Sequence, residues 1–173
     1  MLRKDAESRV NINKYRPHNY QRFYIDRKKS NRENIMPVRP EFRNLYPSDD
    51  QIENGLMVVL FVCGGKASAL KARHTYEPLA DYLNLGKQAR DLSRSEYYTS
   101  DSSDSPAWHN KAQWARRQLK KVGFLKDTSY GVWQLSPEGV RKSERLLKQL
   151  KAPAIETLQQ YCATPWRDPA AHL

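Results

Sequence analysis

The sequence predicts an α+β fold, mainly helical: a winged helix-turn-helix with a β-hairpin wing and a basic N-terminal arm. Three observations predict it. Between Ser48 and Leu150, apolar residues recur at helical spacing in several segments, each opened by a capping residue. Two short apolar runs, Phe124-Leu125 and Val132-Trp133-Gln134-Leu135, flank a turn and read as a hairpin. The helix just ahead of that hairpin carries the longest basic surface in the chain.

The elements follow in order. Ser48 caps a first helix whose opening turn, Asp49 and Asp50, complements the helix dipole. It runs to about Val62 with Ile52, Leu56, Val59, Leu60 and Cys63 inward, and Gly64-Gly65 stops it. The basic segment from Lys66 to Arg73 has room for a short strand. Thr75 caps a second helix with Pro78 in its first turn and Leu79, Tyr82, Leu83 and Leu85 inward, and Gly86 ends it. Ser93 to Glu96 has capping-box spacing and predicts a helical turn. The serine-rich run from Tyr97 to Ser105 reads as a mobile loop.

Ser105-Pro106 opens the third long helix, the serine as cap and the proline at the first helical position. Trp108, Ala112, Ala115, Leu119 and Val122 form its core stripe, and Gly123 closes it. Trp133 belongs with Trp108 in the core, while Trp114 borders the surface and reads as a partly buried packing residue rather than a base-stacking one. After the hairpin, Ser136-Pro137-Glu138 starts a last long helix with Val140, Leu146, Leu147 and Leu150 inward. The domains expected are therefore an arm over residues 1–47, a winged-helix domain over 48–151, and a short helix with a tail over 152–173. The arm holds twelve Lys/Arg and five Asp/Glu, with aromatics from Tyr15 to Tyr46 interleaved, and has too few aliphatic residues to bury a core of its own.

Thirty Lys and Arg against nineteen Asp and Glu give the 173-residue chain a formal charge of +11, which suits a polyanionic partner. Nucleic acid leads. No run approaches the length of a membrane span and the first residues lack a signal peptide's apolar run, so the chain reads as cytoplasmic with no membrane partner. Cys63 and Cys162 are read as unpaired small residues, and the four scattered histidines predict no metal and no cofactor.

From Pro106 to Lys126 there are six basic residues, Lys111, Arg116, Arg117, Lys120, Lys121 and Lys126, and no acid. A helix in the major groove with a hairpin on the adjacent backbone would use them. Arg117 lies opposite the core stripe with Gln113 and Asn110 one and two turns earlier, so these three are the candidate base contacts. Lys111, Arg116, Lys120, Lys121 and Lys126 are candidate phosphate contacts, joined by Tyr130 at the hairpin turn.

The run AWHNKAQWARRQLKKVGFLK followed by GVWQLSPEGVRKSERLL resembles the N-terminal winged-helix domain of Mrr-type restriction proteins, over Ser48 to Leu147. Trp108, Asn110, Trp114, Ala115, Leu119, Lys120, Lys121, Gly123, Gly131, Trp133, Ser136 and Gly139 carry the match. The resemblance implies a double-stranded-DNA recognition module of a modification-dependent restriction or defence system, with methylated duplex as one ligand and a separate nuclease subunit as one partner. No nuclease motif accompanies it: Gln118-Leu119-Lys120 and Gln149-Leu150-Lys151 have the spacing of ordinary amphipathic helices. The chain is thus expected not to be an enzyme. The alternative is a winged-helix protein-interaction or transcription-regulator module.

Overall fold

The computed structural model describes residues 36–150 together with Glu156 and Leu158. Most of the expected arm and of the closing helix and tail lie outside the described residues; Glu156 and Leu158 are helical, and Leu158 is buried. The architecture is α+β, mostly helical, with one two-stranded antiparallel sheet.

The centre is α1 (Asp49–Cys63). Ser48 and Gln51 form a capping box: the Ser48 hydroxyl accepts the Gln51 N–H, and the Gln51 side-chain oxygen accepts the Ser48 N–H at 2.9 Å. The sequence from Gly55 to Leu60 is buried around the whole circumference, as a helix enclosed by neighbours must be. Later helices pack on it from two sides. Cys63 is buried at its end and is disulfide-bonded, which corrects its reading as an unpaired residue; Cys162 lies outside the described residues.

Beyond α1 come β1 (Ala69–Lys71) and α2 (Tyr76–Tyr82). Thr75 precedes α2 as expected but makes no side-chain cap, because its backbone is already helical and its buried hydroxyl donates to the Lys71 carbonyl at 3.1 Å. Two short helices follow, α3 (Lys87–Asp91) and α4 (Arg94–Tyr97). The capping box expected at Ser93 and Glu96 forms in full.

The serine-rich run that read as a mobile loop is tied down. Ser103 and Ser105 carbonyls accept from the Ser95 and Arg94 amides, and Arg94 pairs with Asp101 at 2.5 Å. Tyr97 and Tyr98 are buried, and Tyr98 bridges to Val38. The low aliphatic content of the run hid two aromatic anchors. Tyr46, read as arm, also belongs to this body: its ring lies edge-on to Tyr97 at 5.1 Å and stacks on Trp108 at 6.0 Å, and its hydroxyl donates to the Ala89 carbonyl at 2.7 Å.

The third long helix is α5 (Ala107–Lys121), which packs on α1 through Trp108, Ala112, Ala115 and Leu119. Its cap is Pro106, still extended at φ −58 and ψ 130, one residue later than Ser105. The helix closes in a Schellman motif: the Gly123 N–H reaches the Lys120 carbonyl at 3.0 Å and the Phe124 N–H the Leu119 carbonyl at 2.9 Å. Gly123 takes φ +82, a conformation glycine adopts without strain. Val122, expected on the core stripe, is 45% exposed, because the helix ends at Lys121 and the capping turn swings Val122 outward.

The hairpin expected between Phe124 and Leu135 is reduced to a single bridge, Leu125 with Leu135. The strand β2 (Val132–Gln134) pairs instead with β1, Ala69 opposite Gln134 and Lys71 opposite Val132. This satisfies backbone groups of β1 that would otherwise lack partners and buries Trp133 opposite Leu70. Last comes α6 (Pro137–Leu147), capped by the Ser136 hydroxyl accepting from Gly139 at 3.1 Å. Val140, Leu146, Leu147 and Leu150 are only half-buried, whereas Gly139 and Ser143 are fully buried. The tightest packing runs along that small pair: a Cβ on Gly139 would lie 2.1 Å from the Phe124 carbonyl oxygen, and the Ser143 hydroxyl lies 3.2 Å from the Met57 carbonyl of α1.

Candidate nucleic-acid interface

With its apolar stripe on α1, α5 has to turn the opposite side outward. On that side Gln113, Trp114, Arg117 and Lys121 are exposed. Lys126 and Tyr130, on the connection to β2, are exposed too, Tyr130 completely. Among the described residues no ion pair involves Arg117, Lys121 or Lys126. Their charge is therefore available to an outside anion.

The three candidate base contacts do not share one environment. Arg117 is exposed, and its guanidinium carbon lies over the Trp114 ring, 5.0 Å from the centroid. Gln113 is exposed, but its amide donates to the Tyr76 hydroxyl at 3.1 Å. Asn110 is half-buried at the start of the helix and donates to the Tyr98 hydroxyl at 3.3 Å, so its amide is partly committed to the fold. Burial raises the Tyr98 pKa, which keeps that phenol protonated.

The candidate phosphate contacts divide as well. Lys111 turns toward α1, 3.8 Å from the Asp49 carboxylate and 6.0 Å from the Tyr97 ring centroid, away from Arg117. Lys120 reaches Asp127 at 2.7 Å and holds that carboxylate below its usual pKa. Arg116 is half-buried on the same flank and adds to the field on Asp127. Lys121 and Lys126 project into solvent.

Sequence reasoning missed the flank formed by Tyr76 and His109. The Tyr76 ring stacks on the imidazole and meets Trp133 edge-on at 5.7 Å, while the Tyr76 carbonyl accepts from the Trp108 indole at 3.3 Å. One residue thus joins the start of α2 to both α5 and β2. A periodicity reading could not find it, because Tyr76 sits at the first position of a seven-residue helix. Asp127, which pairs with Lys120, was equally invisible as a lone acid in a turn.

Among the described residues no cluster of three or more His, Cys, Asp or Glu could hold a metal ion, and no helix is long and apolar enough to cross a membrane. The family model described as the Mrr N-terminal domain matches residues 55–145, more than half of the 173-residue chain. The matched segment begins inside α1 and ends within α6, and so contains the whole of α5 and both strands. No curated protein and no solved structure matches the chain.

Proposed function

The chain belongs to the Mrr N-terminal domain family, and on that premise we propose that it is a double-stranded-DNA-binding module of a restriction or defence system, working as a winged helix. The family is named for an N-terminal domain and not for a nuclease, which agrees with a recognition role. In this reading α5 enters the major groove, and the connection from Lys126 to Gly131 lies beside it on the backbone as the wing. Supporting it are the strand after the first helix, its antiparallel pairing with β2, and the position of α5 immediately ahead of β2.

The observation that carries the proposal is the outward face of α5. From Pro106 to Lys126 the chain has six cations and no acid, and Arg117, Lys121 and Lys126 are exposed without an ion pair among the described residues. An unemployed surface helix ordinarily mixes signs. Arg117 and Gln113 supply the base contacts, Lys121, Lys126, Arg116 and Lys120 the phosphate contacts, and Tyr130 touches the backbone from the turn. Asn110 joins the base contacts through its amide oxygen and second N–H, the first N–H being held by Tyr98. Modified bases and a separate nuclease subunit belong to the same proposal, as the setting in which such a module would act.

The test is duplex binding at several salt concentrations, with unmodified, N6-methyladenine and 5-methylcytosine duplexes in parallel. A protein that neutralises six to ten phosphates weakens its binding by roughly 10³–10⁵ between 50 and 200 mM salt. An affinity indifferent to salt would exclude this reading and favour a protein-docking role.

A further inference from the structure

We infer that Trp114 and Arg117 act as one unit, in which the indole positions the guanidinium to read a guanine edge in the major groove; the inference rests on the duplex-binding reading. The two residues are three apart, one helical turn, on the side of α5 facing away from α1. The Arg117 guanidinium carbon is 5.0 Å from the Trp114 centroid, within cation–π range. Trp114 is 40% exposed, a large apolar surface left on an otherwise strongly polar face.

Trp114 is not among the α5 residues buried in the core, which are Ala107, Trp108, Ala112, Ala115 and Leu119. The arginine lies over its ring, and the consequence is conformational. A free arginine surrenders much of its rotamer freedom when it forms two parallel bonds to guanine O6 and N7. An arginine already resting on an indole surrenders less, and a planar fork held against a planar ring presents its donor edge in a restricted set of directions. Lys121, one turn beyond Arg117 and also exposed, has no such fork and binds phosphate as a point charge. Trp114 is thus a positioning residue for base choice, and its loss should change specificity more than affinity.

The experiment uses the full chain. Duplexes are selected from a random pool, and the best one is then titrated with each guanine in turn replaced by 7-deazaguanine, which lacks the N7 acceptor. The unaltered chain should depend on one guanine by on the order of tenfold. Trp114→Leu and Arg117→Lys should each abolish most of that dependence, Trp114→Phe should retain it, and Trp114→Leu should leave the salt slope unchanged. Arg117→Lys, which alters an exposed side chain and keeps the charge, tests the guanidinium, and the contrast between Trp114→Phe and Trp114→Leu at unchanged Tm tests the ring; a dependence that survives Trp114→Leu, or is lost in a folded Trp114→Phe, overturns the positioning role. Duplex binding with no guanine dependence, or a dependence that survives Arg117→Lys, overturns the inference while leaving the binding reading intact. Absence of duplex binding by the unaltered chain overturns both.

Discussion

The Tyr76 ring lies parallel to the His109 imidazole, 3.9 Å between centroids at an interplanar angle of 15°, and so joins the start of α2 to the flank of α5. Burial pushes the His109 pKa below its ordinary value of 6.5, against an opposing pull from Glu77. Well above pH 6.5 both folded and unfolded chains hold this imidazole neutral. As pH falls through 6.5 the unfolded chain takes up a proton before the folded one does, so stability drops until the lower native pKa is passed. The expected outcome is a Tm that decreases between about pH 7.5 and 5, with a shallower decrease for His109→Phe, which keeps a ring on Tyr76. Equal slopes for the two proteins would show that His109 does not contribute.

Arg117→Ala combined with Lys121→Ala should weaken duplex binding at least about tenfold and move Tm by no more than a few degrees, since exposed substitutions are worth about 0.5 kcal/mol or less in folding. Binding by electrophoretic shift and melting by circular dichroism measure the two halves separately. Unchanged affinity would remove α5 from the interface.

Gly139→Ala tests the packing of α6. In an exposed helix the exchange would stabilise by up to about 1 kcal/mol. Here the new methyl would lie 2.1 Å from the Phe124 carbonyl oxygen and 3.1 Å from Leu135, so the backbone of one element must shift. A loss of about 3 kcal/mol, at the upper end for overpacking, is expected from urea melts. A neutral result would mean that α6 stands off from the Phe124 backbone in solution.

What was legible in the sequence was what is local. The capping box at Ser93, the serine cap of α6 at Ser136 and the glycine close of α5 depend on residues within one turn of each other, and each is present. The pairing of β1 with β2 was not legible. Three-residue strands are too short to show an alternating pattern, and their partners are 61 to 65 positions apart, so the choice between β1 and the Phe124-Leu125 run is made by tertiary contacts. Tyr46 and Tyr97 were missed for the same reason, since an aromatic at the edge of a polar segment joins the core only once another element approaches. On α5 the charge pattern singled out Arg117 and Lys121, which are exposed. It could not tell that Asn110 and Lys111, on the same helix, turn toward Tyr98 and Asp49.

The basic N-terminal segment gives the last prediction, because charge and packing divide it at different places. Most of its cations precede Met36, whereas Val38 bridges to Tyr98, the Arg39 N–H donates to the Tyr97 carbonyl at 3.0 Å, and Tyr46 packs on Trp108. A chain beginning at Met36 should therefore keep its Tm but bind duplex more weakly, with the slope of log K against log salt flattened by about 0.9 for each phosphate no longer neutralised. A chain beginning at Pro47 should be less stable as well. Removing the buried Tyr46 ring is comparable with a large aromatic truncation, about 3–5 kcal/mol, and its hydroxyl bond to Ala89 disappears with it. Equal salt slopes for the chain from Met36 and the full chain would show that the preceding cations do not touch DNA. Equal melting temperatures for the chains from Met36 and Pro47 would show that the aromatic packing of Tyr46 does not support the core.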